Sequence, residues 1–384
     1  MKKNRCLWGA AIAVFSLLFL YTLRQELLIL TVAIILLPVL SAGCNRAVSR
    51  HLEIELSGGE SELQGRVDVK NSSFLGIPRI VFEIQIQNLL TMEINKKQFT
   101  YVVRRRERET GFFFISAERC GCMEISVKNV ILWDMWGIFP TEIKIIETRR
   151  MNVWPDLFEQ QIVVGKSDKE ELDSFEYSME KPGNDPGEMF DIRDYIPGDR
   201  MSSIHWKLSG KYDRLMIVRP GLPLENSILL LFETGYKDTD GEVSPSRIAA
   251  AANCFTSICR NLISEGRTHR IGWVDGFTDQ FVLYEIASEE DFTGILPKFL
   301  SAGYVKQQEN VWTRYFQLNG DGREAHIVCV AHELTGEEEL LQFQGGRITI
   351  LLSNASQAEK LGYNVQKLGF SEEGYCQDLY YLEI

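Results

Sequence analysis

Two apolar runs open the chain, Leu7 to Leu23 and Leu27 to Ala42, parted only by Arg24, Gln25 and Glu26. At 17 and 16 residues, each run is at the short end of what crosses a hydrocarbon core of ~30 Å. One long helix would carry Arg24 and Glu26 into lipid, whereas a helical hairpin leaves them at the far interface. Residues 1–46 are therefore read as a transmembrane hairpin that meets the bilayer through residues 7–42.

From His51 to Pro155 the pattern shortens to alternating pieces: Leu52–Leu56, Arg66–Lys70, Ile80–Ile86, Gln98–Val103, Phe112–Ile115, Met123–Val127 and Ile143–Ile146. A two-residue period broken at Gly58-Gly59, Asn71-Ser72-Ser73 and Gly111 predicts antiparallel strands with one buried face. About seven of them over residues 47–155 predicts an all-β, sandwich-like domain. Residues 156–186 form an acidic linker. Its Pro182-Gly-Asn-Asp-Pro-Gly187 ending predicts an irregular, mobile loop.

Over residues 221–384 strands alternate with helical stretches. Ile228–Phe232 is a continuous apolar strand, and Ser244-Pro245 signals a helix start with Ile248, Ala252, Phe255, Cys259 and Leu262 on one face. Strands Arg270–Val274 and Phe281–Ile286 flank a turn at Asp275-Gly276. A helix near Glu290–Leu300, a strand Ala325–Val330, a short helix Glu337–Leu341, a strand Ile348–Leu352 and a helix Gln357–Leu361 complete the set. Such alternation predicts an α/β, doubly wound, mostly parallel sheet with one hairpin edge.

Charge refines this picture. The first 50 residues carry a net +5 against −12 for the whole chain, which leaves −17 on the remainder. That excludes nucleic acid, which needs a basic stripe to replace counterions. Lys2, Lys3 and Arg5 precede the first run, and Arg46 and Arg50 follow the second, so a hairpin puts them on one side. The positive-inside rule makes that side the cytoplasm: a multi-pass protein of the cell membrane with cytoplasmic soluble domains. A cleaved signal peptide is disfavoured by the second run, which follows at once. Ser41-Ala42-Gly43-Cys44 resembles a lipoprotein cleavage box, but serine stands where a large aliphatic residue belongs. Arg104-Arg105-Arg106, followed by Glu107 and Glu109, reads as a solvated edge that discourages strand addition. The eight cysteines lack zinc spacing, and Cys120, Cys122, Cys254 and Cys259 read as small core residues in a reducing compartment.

The chain is organised around residues 187–220. Pro197-Gly198 is a turn, proline presetting φ at its second position and glycine accepting positive φ at its third, with extended segments expected on both sides. Charged residues interleave there with Phe190, Tyr195, Ile204 and Trp206, which suits a half-buried surface whose charges pair with one another. The pattern Glu188-x-Phe190-x-x-Arg193-x-Tyr195-x-Pro197-Gly198-Asp199, then Ile204-His205-Trp206-Lys207 and Leu215–Val218, closely resembles the signature of the bacterial family called domain of unknown function 58. Asp134-Met-Trp-Gly-Ile-Phe139 and Val153-Trp154-Pro155 resemble two further motifs of that family, with Ile138 for leucine and Trp154 for tyrosine.

The element order after the signature resembles a von Willebrand factor A domain. Many such domains hold a divalent ion through Asp-x-Ser-x-Ser after the first strand. The corresponding stretch here is Glu233-Thr-Gly-Tyr-Lys237, with Ala331-His332-Glu333 after the fourth strand, so Glu233 and Thr234 are the only first-strand ligands on offer for Mg²⁺ and no bound cofactor is expected. The family resemblance implies a non-enzymatic adaptor or scaffold working with a MoxR-type AAA ATPase in assembly or remodelling. Arg193, Tyr195, Pro197, Gly198, Asp199, His205, Trp206 and Lys207 then bind the partner or shape the signature, and no catalytic residue is assigned. Two competitors remain: an enzyme in which Asp199 orients His205 as acid or base beside Arg193, and an envelope-facing binding module. For His205 the expectation is a ring that hydrogen-bonds across the turn, and for Arg193 with Asp199 an internal ion pair.

Overall fold

The computed structural model describes residues 2–58, 64–116, 118–163, 177–223, 225–236, 244–303, 305–306, 310–319, 324–331, 347–353, 359–360 and 365–383. The chain divides into two compact units: Met1–Asn88 with Glu93–Glu118 and Cys122–Val153, and Leu89–Met92 with Arg119–Gly121 and Trp154–Ile384.

The first unit begins with helices α1 (Lys2–Thr22) and α2 (Gln25–Val48), each long and apolar enough to cross a membrane. Leu23 turns the chain between them at φ 48°. Pro38 lies inside α2 and has no N–H, which strips the Ile34 carbonyl of its helical donor. Trp8 Nε1 of α1 donates to that carbonyl at 2.8 Å, so one helix's defect becomes the other's anchor.

A short 3₁₀ turn, Ser49–His51, leads into strands β1 (Leu52–Ser57), β2 (Gln64–Asn71), β3 (Ile77–Asn88), β4 (Ile94–Val103), β5 (Arg108–Phe114), β6 (Gly121–Trp133), β7 (Pro140–Ile143) and β8 (Thr148–Val153). They form two antiparallel sheets, β1-β2-β5 and β4-β3-β6-β7, with β8 also on β6. Val67 and Val69 from the first sheet and Phe82, Ile84 and Leu132 from the second share one buried core. The strand expected over Ile143–Ile146 ends instead at Ile143: β7 pairs with β6 no further than Val130↔Ile143, and Ile146 is 93% exposed. Arg104–Arg106 form the turn between β4 and β5, with Arg106 at φ 55°, and so do not guard a strand edge as expected.

The second unit holds β9 (Gln161–Val163), β10 (Tyr177–Asp194), helix α3 (Trp206–Tyr212), β11 (Met216–Pro223), β12 (Glu225–Phe232), β13 (Gly235–Tyr236), helix α4 (Pro245–Ser264), β14 (His269–Asp275), β15 (Gln280–Ile286), helix α5 (Glu289–Leu300), β16 (Val305–Lys306), helix α6 (Val311–Asn319), β17 (Glu324–Ala331), β18 (Arg347–Leu352), β19 (Glu359–Lys360), β20 (Val365–Gly369), helix α7 (Tyr375–Asp378) and β21 (Tyr381–Glu383). Seven strands make one sheet in the order β15-β14-β12-β17-β18-β20-β19, parallel within and antiparallel at both outer pairs. Alternate residues of β12 face opposite layers. Phe232 meets Phe255 of α4 and Phe299 of α5 at 5.4 and 5.0 Å, while Leu229 and Leu231 join Val311, Trp312 and Tyr315 of α6.

Two expectations change here. Pro182–Gly187 lies within β10, paired with β11 through repeated register shifts; a two-stranded ribbon tolerates proline because each strand has a free edge, and the bulges take up the irregularity. Of the helix expected over Gln357–Leu361, the two described residues form β19, which places a second hairpin at the sheet's far edge. The helix expected over Glu337–Leu341 lies outside the described residues. In a separate two-stranded sheet β21 pairs in parallel with β9, Tyr381↔Gln161 to Glu383↔Val163, and Tyr375 packs on Phe158 at 5.4 Å.

Candidate functional site

β10 and β11 run antiparallel from Asp191↔Arg219 to Asp194↔Met216 and present the signature at their open end. The Asp199 amide donates to Ile196 O at 3.0 Å, closing a turn with Pro197 second and Gly198 third, the glycine at φ 111°. Arg193 grips Asp199 with both prongs, Nη1 to Oδ2 at 2.8 Å and Nη2 to Oδ1 at 2.7 Å, while Oδ2 also accepts from Ile196 N at 2.9 Å. The Arg193 hydrogen bonds hold the Asp199 carboxyl below its ordinary range. Asp194–Arg214 at 3.1 Å and Asp191–Arg219 at 3.9 Å continue the pairing along the ribbon. The side chains of Glu188 and Phe190 lie outside the described residues.

Past the turn the chain is not extended, as the sequence suggested, but coils. Met201–Ser203 is a 3₁₀ turn, Ile204 bridges to Ile217, and α3 follows. His205 is the N-cap of α3, its Nδ1 accepting from Leu208 N at 3.2 Å. The ring thus satisfies an orphan helical amide within its own helix and does not reach across the turn. The Ser209 hydroxyl donates to His205 O at 3.0 Å and accepts from Met216 N at 2.9 Å, which ties α3 to β11. Tyr195 is half-buried, and its amide donates to Leu215 O at 2.9 Å.

Arg193, Asp199 and His205 are thus engaged within the signature, while several of its large apolar side chains face water. Met201 is 71% exposed, Trp206 67% and Ile196 58%, with Tyr212 and Leu215 also exposed. Lys207 and Lys211, one helical turn apart, occupy the outer face of α3, and Lys211 Nζ sits 5.5 Å from the Tyr212 ring.

Glu233 and Thr234 follow β12, the strand from which the chain passes to β14 on one side of the sheet and later to β17 on the other, the usual place for a ligand in an open α/β sheet. Here the carboxylate is already taken. Oε1 accepts from Gly235 N and Oε2 from Val311 N, the first residue of α6, both at 2.8 Å. Burial pushes the carboxyl up to about 7. Thr234 Oγ1 donates to Val274 O at 2.5 Å. Among the described residues no three His, Cys, Asp or Glu side chains converge as a metal site needs, and His332 and Glu333 lie outside them.

Two polar clusters were not found from the sequence. Cys259 Sγ lies 2.9 Å from His269 Nε2, and His269 Nδ1 faces Arg267 O at 3.2 Å, which fixes Nδ1 as the protonated nitrogen and Nε2 as acceptor. Burial pushes the thiol up and the imidazole down, so the pair stays neutral, the reverse of an activated thiolate. In the other, Asp134 is 2% exposed and its carboxylate accepts from three amides of its own loop: Ile138 at 2.7 Å, Phe139 at 2.6 Å and Trp136 at 3.2 Å. An aspartate three residues ahead of a glycine is the local signal that could have revealed it, and Gly137 indeed turns at φ 65°.

No family model and no curated protein matches the chain. Among solved structures it resembles a penta-heme cytochrome c552 from Thermochromatium tepidum, with 10% identity over 27% of this chain and 40% of that one at a TM-score of 0.21. It also resembles the Pseudomonas fluorescens alkylpurine DNA glycosylase AlkC, with 13% identity over 36% and 41% at a TM-score of 0.18. The chain spans less than half the length of each. Likenesses at these scores establish neither fold nor function.

Proposed function

We propose that this chain is a membrane-anchored, non-enzymatic adaptor of the domain of unknown function 58 family. In this reading α1 and α2 form a two-span anchor with both soluble units in the cytoplasm, the two-sheet region is its sandwich-like domain, and the seven-stranded sheet is a von Willebrand factor A-like module. The partner is a MoxR-type AAA ATPase that assembles or remodels protein complexes.

The observation that carries the proposal is the division of labour in the signature. Arg193, Asp199 and His205, the groups an enzyme would use, are engaged in holding a turn and capping a helix, while Met201, Trp206 and Lys207 are presented to solvent. Exposed aromatic and basic side chains on a rigid platform are the composition of a protein-binding hot spot. Sealing of Glu233 beneath α6 points the same way, toward binding and away from metal chemistry.

The test is capture of the ATPase by the detergent-purified full chain. Trp206→Ala and Lys207→Glu should abolish it with unchanged thermal unfolding, whereas the paired swap Arg193→Asp with Asp199→Arg should retain it. Full capture by a folded Trp206→Ala, Lys207→Glu variant would sink the assignment of this surface.

A further inference from the structure

The motif Asp134–Phe139 plays no part in the adaptor reading, yet its surroundings are specific. Strand register places it at one end of the first unit. Ile77↔Val103 and Arg79↔Trp133 mark that end, and Gln87↔Ile94 with Asn88↔Met123 mark the other. The loops 72–76, 104–107 and 134–139 all stand at the first end, which is also where α2 feeds into β1: Ser72 N donates to His51 O and Asn71 N to Glu107 O, both at 3.0 Å. Asn71 Nδ2 ties two of the loops together, to Leu75 O at 2.8 Å and Arg104 O at 3.1 Å.

The third loop lies directly against the helices. Asn4 Nδ2 donates to Trp136 O at 3.2 Å, Arg5 Nε to Ile138 O at 3.0 Å, and Met135 N to Ser41 Oγ at 3.4 Å. The Trp8 ring meets Phe139 edge-on at 5.4 Å. These contacts fall where the apolar runs begin, at Leu7, and end, at Ala42, so the loop sits at the height of the membrane–water boundary. Asp134 fixes its backbone, and the side chains it projects are Met135 at 75% and Trp136 at 42% exposure. Nearby, Phe74 is 76% exposed beneath the Arg106 guanidinium, 4.2 Å from its ring, with Arg104 and Arg105 beside it on the same turn.

We propose that this end of the unit is a bilayer-docking face, with Met135 and Trp136 in the interfacial layer and Phe74 with Arg104, Arg105 and Arg106 against anionic lipid headgroups. Tryptophan favours that layer because one edge of its ring is apolar and the other donates a hydrogen bond, and arginines next to a span attract acidic lipid. The face is continuous with the lipid-facing surface of the helices. The proposal rests on α1 and α2 spanning the bilayer and is independent of any ATPase.

The experiment uses the full chain in vesicles of phosphatidylcholine with phosphatidylglycerol, carrying a benzophenone photo-crosslinking residue at position 135, 136 or 74. Leu18, exposed on α1, is the positive control. Ile94 is the negative control, since the 10-residue β4 sets it about 30 Å from the docking end. Lipid adducts are expected at 18, 135, 136 and 74 and not at 94, with the adduct at 74 lost when phosphatidylglycerol is omitted. Adducts at 18 without adducts at 135 and 136 overturn the proposal, and an unchanged adduct at 74 without the acidic lipid overturns its headgroup half. Absence of an adduct at 18 removes the spans, and the docking face with them.

Discussion

Asp134 and Asp199 each close a loop through a carboxylate that accepts from the backbone, three amides for Asp134 and one for Asp199, and a methionine and a tryptophan are then projected into solvent: Met135 and Trp136 from one loop, Met201 and Trp206 beyond the other. The surroundings differ. Asp134 is buried beside the ends of two apolar helices and has only amides for partners, whereas Asp199 shares its charge with Arg193 on a ribbon of ion pairs. The same local device thus serves two environments. Under the two proposals above, the projected side chains beside the apolar helices meet lipid, and those beside Lys207 and Lys211 meet a protein partner. What a presented tryptophan is for depends on what stands around it.

The sharpest way to break the comparison is Asp134→Ala. Three amides lose their acceptor at a buried position, and a loss of about 3 kcal/mol or more is expected, read as an earlier thermal transition of the detergent-purified chain. Asp199→Ala should shift that transition less, since water replaces its partners. An equal shift would mean the two loops are not held as described.

The core of the second unit supplies a pH control for both. Burial pushes His326 down to about 3, so between pH 6.5 and 3 only the unfolded chain takes up its proton and stability falls with acidification. Glu233, raised to about 7, acts in the opposite sense: from pH 4.5 to 7 the folded chain keeps a proton that the unfolded chain has lost, and stability falls as pH rises. The two slopes cancel between pH 4.5 and 6.5. His326→Gln removes one of the two opposing buried imidazoles, His269 being the other, so between pH 4.5 and 6.5 its stability should fall more steeply with rising pH than that of the parent chain, and an unchanged profile would refute the assignment.

A smaller effect tests the tie between the two helices that the first loop abuts. Trp8→Phe removes the donor to the Ile34 carbonyl and should cost about 1 kcal/mol. Adding Pro38→Ala restores a helical N–H for that carbonyl and should return part of it. Smallest of all, Trp206→Ala should leave stability within about 0.5 kcal/mol, as expected for an exposed side chain.

The strands were the most legible part of the chain, because a one-sided core writes a two-residue period into the sequence: Leu52, Ile54 and Leu56 of β1 are buried and Glu53 and Glu55 are exposed. The Pro197-Gly198 turn was legible because only glycine takes its φ freely. Helix α6 was missed, since Val311-Trp312 and Tyr315 bury one face in only nine residues and its N-terminal partner, Glu233, is 78 positions away. The ribbon through Pro182–Gly187 was missed for the converse reason. Its local residues argue against a strand, and it is the pairing with β11 that decides. The ion pair of Arg193 with Asp199 was expected from the interleaving of opposite charges in the signature, whereas the role of His205 as a cap depended on a helix no local pattern announced.

The pairing of β9 with β21 also bears on how the chain is made. Gln161 leaves the ribosome 220 positions ahead of its partner Tyr381. At roughly 5–20 residues per second, β9 waits on the order of ten to forty seconds with its edge open. During that interval the β9–β21 pairing cannot form, and the nascent second unit is open to chaperones and proteases.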